Sequence, residues 1–171
     1  KLMTSTRMAV GAYGDDTGLL VNSGAVYIID LQPIIGGQAW TVTEVLIPAD
    51  VATGDNFGYK LATSSNNLVI VGSPLDDNAG GVDAGAAYVY RATGVPGTTP
   101  NNWSQQAKLA AAVGGTNERF GYSVAYDNGT IVVGMPLDDN AGGADAGAAF
   151  VFRQVSGVWT EQFRFGAADR T

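Results

Sequence analysis

Short apolar runs separated by turn formers set the rhythm of this chain. Met8-Ala9-Val10 reads as a buried strand after a Ser5-Thr6 turn, and residues 24–31 (GAVYIIDL) read as a second strand. Residues 40–47 (WTVTEVLI) alternate apolar and polar positions, as a half-buried strand does. The same order then recurs twice. Strands are predicted over residues 58–63, 68–72, 86–91 and 103–109, and again over 121–126, 130–134, 148–153 and 158–165. Asn128-Gly129 is a two-residue hairpin signal, and Asn66-Asn67 holds the same place one copy earlier. No segment has helical periodicity. Residues 104–113 carry helix-tolerant Gln, Lys and Ala, but they align with residues 41–47, which read as strand.

The recurrence is nearly literal. Residues 71–91 (VGSPLDDNAGGVDAGAAYVYR) and 133–153 (VGMPLDDNAGGADAGAAFVFR) are identical at 17 of 21 positions. A looser copy, residues 10–29, places Asp15 and Asp16 on Asp76 and Asp77, Asn22 on Asp83, and Gly24 on Gly85. Gly11, Gly72 and Gly134 stand 61 and 62 residues apart, a period that means one supersecondary unit used repeatedly. A four-stranded meander cannot bury both faces alone; packed face to face around an axis, such sheets make a β-propeller. A β-sandwich competes, but its strands are not related by a fixed translation. The expectation is an all-β fold, a β-propeller segment of three four-stranded antiparallel blades. It forms one unit over residues 1–171, with repeats near 1–56, 57–119 and 120–171. Gly58, Gly121, Ala62 and Ala125 let the innermost strands crowd near a central channel. Lys1-Leu2 aligns with Lys60-Leu61, so the chain opens just after a missing FGY and closes at Asp169-Arg170-Thr171, where the next is due. Three blades leave two apolar faces open. They are expected to be covered by further propeller blades of the same or another chain, for instance by two chains pairing into a six-bladed ring.

Composition narrows the chemistry. The 171 residues include 24 Gly, with no apolar run near 18, so no membrane insertion is expected. Nine basic against 16 acidic residues give a net charge of -7, which disfavours nucleic acid and anionic lipid as partners. With no Cys and no His, thiol nucleophiles, Cys/His zinc sites and Ser-His-Asp triads are excluded. The chain begins with Lys rather than Met, as a processed protein or a segment of a longer one does.

The candidate site is the acidic loop: Asp76, Asp77, Asn78 and Asp83; then Asp138, Asp139, Asn140 and Asp145; with Asp15 and Asp16 in the first copy. Two readings stand side by side. Calcium takes six to eight oxygen ligands, and Asp, Asn and backbone carbonyls supply them. Equally, Asp and Asn close glycine-rich turns by side-chain bonds to the backbone. The expected cofactor is therefore Ca2+ or none. Tyr88, Tyr90, Phe150, Phe152 and the three Trp stand at strand period, as inter-blade core does rather than a sugar-stacking platform. Asp76-Asp77 is a poor glycosidase pair, because adjacent strand residues point to opposite faces. Asn102-Trp103-Ser104 and Asn128-Gly129-Thr130 match the glycosylation sequon, which matters only in a secretory pathway.

Phe57-Gly58 and Phe120-Gly121, 63 residues apart, together with Gly11-Ala12-Tyr13, Gly72-Ser73-Pro74 and Gly134-Met135-Pro136, resemble the FG and GAP elements of the FG-GAP repeat. That family is known from integrin alpha propellers and bacterial surface proteins. The GAAYVY and GAAFVF strands and the Trp40, Trp103 and Trp159 strands resemble it too. Calcium-binding members carry an Asp-x-Asp-x-Asp-Gly loop between the first and second strands. Here that connection is residues 64–67 or 127–129, too short for such a cage, so the family's calcium sites are not carried over. The resemblance implies an extracellular or cell-surface module, not an enzyme, that binds a protein or glycan ligand in adhesion. The alternatives are a self-associating structural subunit of a surface layer or filament, and the accessory propeller of a larger secreted enzyme.

Overall fold

The computed structural model describes residues 1–93 and 102–166; the expected FGY position at Asp169-Arg170-Thr171 lies outside the described residues. Among the described residues, twelve strands build three antiparallel sheets. Blade 1 holds β1 (Leu2–Thr4), β2 (Arg7–Ala12), β3 (Ala25–Ile34) and β4 (Gly37–Leu46). Blade 2 holds β5 (Lys60–Ser64), β6 (Leu68–Ser73), β7 (Ala86–Ala92) and β8 (Trp103–Leu109). Blade 3 holds β9 (Ser123–Asp127), β10 (Thr130–Met135), β11 (Ala148–Val155) and β12 (Val158–Gly166). Within each blade every strand pairs with its neighbour in the chain. This is the expected all-β arrangement, a β-propeller-like segment of three blades. The helix-tolerant stretch after Trp103 is strand, as its alignment requires.

Local chemistry sets the element ends. Asn128 (φ 41°) and Gly129 (φ 80°) both take positive φ, so the predicted two-residue hairpin closes β9 onto β10 with the backbone twist that favours such turns. The strands predicted from Gly58 and Gly121 begin two residues later, at Lys60 and Ser123. Gly58 (φ 94°) and Gly121 (φ 89°) lie in the left-handed region, which ends a strand. The last strand of every blade carries a bulge at the same place, at Thr43, Gln106 and Gln162.

The middle blade is buried on both faces. Along β6 every residue is enclosed, and successive side chains go to opposite junctions. Val69 and Val71, with Tyr88 and Tyr90, meet Ala9, Val26, Ile28 and Leu46 of blade 1. Leu68 and Ile70, with Ala87 and Val89, meet Ile131, Val133, Phe150 and Phe152 of blade 3. Each junction is plugged by the Phe that opens the next repeat. Phe57 stands edge-on to Tyr88 and Tyr90 at 5.4 and 6.0 Å, and Phe120 to Phe150 and Phe152 at 5.2 and 6.0 Å. Burying each ring is worth about 2–3 kcal/mol.

The glycines of the GAP element (Gly11, Gly72) and those just before the third strands (Gly24, Gly85) have a defined task at these plugs. A Cβ on Gly24 or Gly85 comes 2.0 or 2.1 Å from the carbonyl oxygen of Phe57 or Phe120. One on Gly11 or Gly72 comes 2.1 or 2.0 Å from that of Gly58 or Gly121. The FG dipeptide of one blade therefore nests against bare backbone of the blade before it. The Phe57 and Phe120 amides donate to the Ser23 and Ala84 carbonyls at 3.0 and 2.8 Å.

The first junction also holds a buried ion pair. Arg7 donates through Nε and Nη2 to Asp30 at 2.6 and 2.8 Å and through Nη1 to Asn67 Oδ1 at 3.0 Å. Its guanidinium lies 5.7 Å from the centre of the Trp103 ring. The outer faces contrast with these junctions. Leu46 and Leu109 are each 4% exposed beneath the next blade, whereas Phe165, at the same position of blade 3, is 54% exposed.

Candidate functional site

The loops between the second and third strands share one conformation in all three copies. Asn22, Asp83 and Asp145 take φ of 51°, 51° and 50°, and Gly24, Gly85 and Gly147 take 84°, 84° and 77°. A small bridge closes each loop, at Thr17–Leu20, Asn78–Gly81 and Asn140–Gly143. The second Asp of each pair is the clasp. Asp16, Asp77 and Asp139 accept the amides of Asn22, Asp83 and Asp145 at 2.8, 2.8 and 2.9 Å. Asp and Asn interchange at the last of these positions because both tolerate left-handed backbone. Asn78 and Asn140 each donate to the carbonyl of Gly85 or Gly147 and accept the amide of Gly80 or Gly142. Thr17 cannot do both, and there the Ser23 hydroxyl takes up the slack by accepting the Thr17 amide and donating to the Asp15 carbonyl.

The first Asp of each pair turns inward, and its partners differ. Asp15 accepts the Tyr27 hydroxyl. Asp76, 1% exposed, accepts the Tyr88 hydroxyl at 2.5 Å and pairs with Lys108 Nζ at 2.9 Å. Asp138 accepts Arg164 Nη2 at 2.5 and 2.6 Å on its two oxygens and Asn140 Nδ2 at 2.7 Å. The cations come from one register position. Tyr88 pairs across the sheet with Lys108, Phe150 with Arg164, and Tyr27 with Val45. Burial and then the Asp76 carboxylate raise the Tyr88 phenol far above its usual range, so this hydroxyl stays a donor.

A second acidic element joins the blades. Burial alone would raise Asp50, but Lys108, bonded to it at 2.7 Å, wins and holds its carboxyl below the usual range. Asp55 is 3% exposed and accepts the Ala52 amide at 2.7 Å. Burial, opposed by that amide and assisted by the charges of Asp76 and Asp77, pushes its carboxyl up to about 6. Glu118, its counterpart one repeat on, accepts the amides of Gly115 and Asp139.

These contacts bear directly on calcium. Among the described residues no group of three or more acidic side chains comes together to hold a metal. Asp15, Asp76 and Asp138 face a tyrosine hydroxyl, an ammonium or a guanidinium, while Asp16, Asp77 and Asp139 accept backbone amides. That donor set fits turn closure. The turns between first and second strands, where family cages would sit, instead line a shallow cleft of about 420 Å³ formed by residues 63–66 and 126–129.

Sequence reasoning missed a row of tyrosines beside these loops. Tyr13, Tyr59 and Tyr122, one ring from each blade, stand with centres 5.5 and 5.1 Å apart. Asn56, Tyr59, Pro74, Leu75, Arg119 and Tyr122 line a cleft of about 130 Å³. The signal was present in the tyrosines of the two FGY triplets, but Tyr13 aligns with Pro74, so the row does not follow the repeat. Lys108 and Arg164 were missed for a different reason. Register places them twenty and fourteen residues after their cross-strand partners, so no fixed period links them.

Three meanders, their two junctions plugged by FG dipeptides, define a β-propeller-like segment. A family model of the FG-GAP repeat matches residues 40–90 and 103–152, more than half of the chain. The chain belongs to the FG-GAP repeat family. Such repeats build propeller modules often involved in binding and are typical of extracellular or surface proteins. Comparison with curated proteins finds no match.

Proposed function

We propose that this chain is a non-enzymatic recognition module of the cell surface or extracellular space, taking a protein or glycan ligand in adhesion. The observation that carries this reading is the division of labour among its residues. The inward carboxylates are engaged by structural partners, whereas the tyrosine row, with Tyr13 51% and Tyr122 38% exposed, is held on rigid blades and left to solvent. Loops on a stiff scaffold are where binding groups concentrate. Among the described residues no helix is long and apolar enough to cross a membrane. The test is a binding screen of the purified chain against immobilised glycans and extracellular matrix proteins. Saturable capture of one class supports the reading, and no capture from either panel contradicts it.

A second reading rests on the open faces. Val10, Trp40 and Val42 on blade 1 and Val132, Phe163 and Phe165 on blade 3 are 37–65% exposed. Faces of this composition are covered in the middle blade by another FG-GAP blade, so further blades, from the same or another chain, are the fitting partners. Sedimentation of the chain tests this: association supports it, and a well-dispersed monomer at high concentration contradicts it.

A further inference from the structure

The cleft between Tyr59 and Tyr122 contains Arg119, whose side chain makes no hydrogen bond among the described residues. Arg119 takes φ 61°, left-handed backbone that a long side chain rarely adopts. Its counterpart one repeat earlier is Asn56, at φ 56°, a residue suited to that conformation. Asn56 also does structural work, since its Nδ2 donates to the Tyr13 and Asn22 carbonyls at 3.3 and 3.1 Å. Arg119 keeps only the backbone bonds of the site, its amide donating to Asp83 and its carbonyl accepting from Tyr122. Its Nε is enclosed and finds no hydrogen-bond partner among the described residues. An enclosed guanidinium N–H without a partner is costly, and strained positions cluster where ligands are gripped.

The surroundings indicate what completes it. Arg119 shares its cleft with Tyr59 and Tyr122, whose rings lie 5.1 Å apart, and Lys60 Nζ lies 5.5 Å from the centre of the Tyr59 ring. Two cations thus gather at an aromatic shelf on a chain of net charge -7. A guanidinium matches a carboxylate in shape and charge. Tyrosine offers a flat apolar body and a polar tip, the complement of a sugar ring with one C–H face and a rim of hydroxyls. The cleft, at about 130 Å³, is well below the 300 Å³ of a small enclosed pocket. It takes an acid group and part of one ring, and the remainder lies across the tyrosines. The overall negative charge opposes a polyanion at long range, which favours a short ligand with a single carboxylate.

We propose that Arg119, Tyr59 and Tyr122 form a subsite for a uronate-containing oligosaccharide, its carboxylate on Arg119 and its ring against the tyrosines, which rests on the recognition-module reading above. The test is a titration of the full chain, followed by NMR of the tyrosine ring resonances, with a glucuronic acid-terminated disaccharide and its glucose-terminated counterpart. The acid sugar should shift Tyr59 and Tyr122, and the neutral one should bind at least about tenfold more weakly, the loss of one charge-assisted pair. Arg119→Asn installs the residue that the second repeat uses. It should weaken the acid sugar by a similar factor while melting at or above the wild-type temperature, which separates lost binding from lost folding. Equal binding of the neutral sugar, an unchanged affinity in Arg119→Asn, or no shift at millimolar acid sugar would each overturn the subsite. So would a short Asp-containing peptide that binds as tightly as the acid sugar. If the glycan and protein screen gives a ligand while these rings stay unmoved, the subsite falls and the module reading stands.

Discussion

The loops after β6 and β10 have the same backbone and nearly the same residues, yet they stabilise their inward carboxylate by different chemistry. Asp76 has a tyrosine hydroxyl and a lysine; Asp138 has no hydroxyl, because Phe150 stands in place of Tyr88, and takes a two-oxygen contact from Arg164 instead. In the first copy Val45 replaces the cation, and Asp15 is left with Tyr27 and partial exposure. The constraint is on the sum. An enclosed carboxylate must be compensated, and hydroxyl, ammonium or guanidinium will serve when the sheet register delivers it.

This comparison breaks first at Arg164. Arg164→Ala leaves Asp138 enclosed with only Asn140 beside it, and should destabilise the chain by about 3 kcal/mol, the lower end for stranding a buried charge because Arg164 is itself 29% exposed. Lys108→Ala should cost less, about 1–2 kcal/mol, since Asp76 retains the Tyr88 hydroxyl. Denaturant unfolding of the two variants measures both, and equal losses would mean that the hydroxyl contributes nothing. Phe150→Tyr sharpens the point. In the Arg164→Ala background it should restore about 1 kcal/mol by giving Asp138 the bond that Asp76 already has, whereas in the wild type it should restore nothing.

Asp55 supplies a pH-dependent contrast. Its folded carboxyl, raised from 3.8 to about 6, favours the protonated form. Its contribution is therefore fully present below pH 3.8, declines as pH rises through 6, and is absent above. Asp55→Asn keeps an oxygen for the Ala52 amide and removes the charge. The variant should be more stable at pH 7 by about 1 kcal/mol, discounted from the full linkage value for water that still reaches the loop, and no more stable at pH 3.5. Thermal melts at the two pH values read this directly, and a gain of equal size at both would refute it.

The smallest effect is expected from calcium. Melting in chelator and in about 5 mM calcium, within the extracellular affinity range, should differ little, because the two leading carboxylates of each loop already have partners. A melting temperature that climbs with the logarithm of free calcium, and is lost in Asp83→Ala with Asp145→Ala, would show instead that the loops rearrange to bind the ion.

Much of this architecture was legible along the chain. Alternation marked the strands, Asn128-Gly129 marked its hairpin, and the recurrence of Phe-Gly and Gly-x-Pro marked the repeat; that these elements plug the blade junctions came from the structure. These features are local or strictly periodic, so one dimension contains them. The acidic loops were legible as loops, and the turn-closing reading of Asp77 and Asp139 needs only the six-residue separation from Asp83 and Asp145. The inward partners were not legible. Which residue faces Asp76 depends on hairpin lengths that differ between blades, and on a bulge that shifts the register of the last strand.

What the amino-acid sequence determined by itself was the repeating unit and its strand order, because turn chemistry and hydrophobic alternation act between near neighbours; that the FG of one blade rests on glycine backbone of the blade before it belongs to the tertiary structure. Only the tertiary structure decided which cation meets which carboxylate, that Tyr13 joins Tyr59 and Tyr122, and that Arg119 ends in a cleft without a partner for Nε. Those outcomes depend on contacts within and between blades, where side chains 26 to 63 residues apart meet only after the sheets have taken their places.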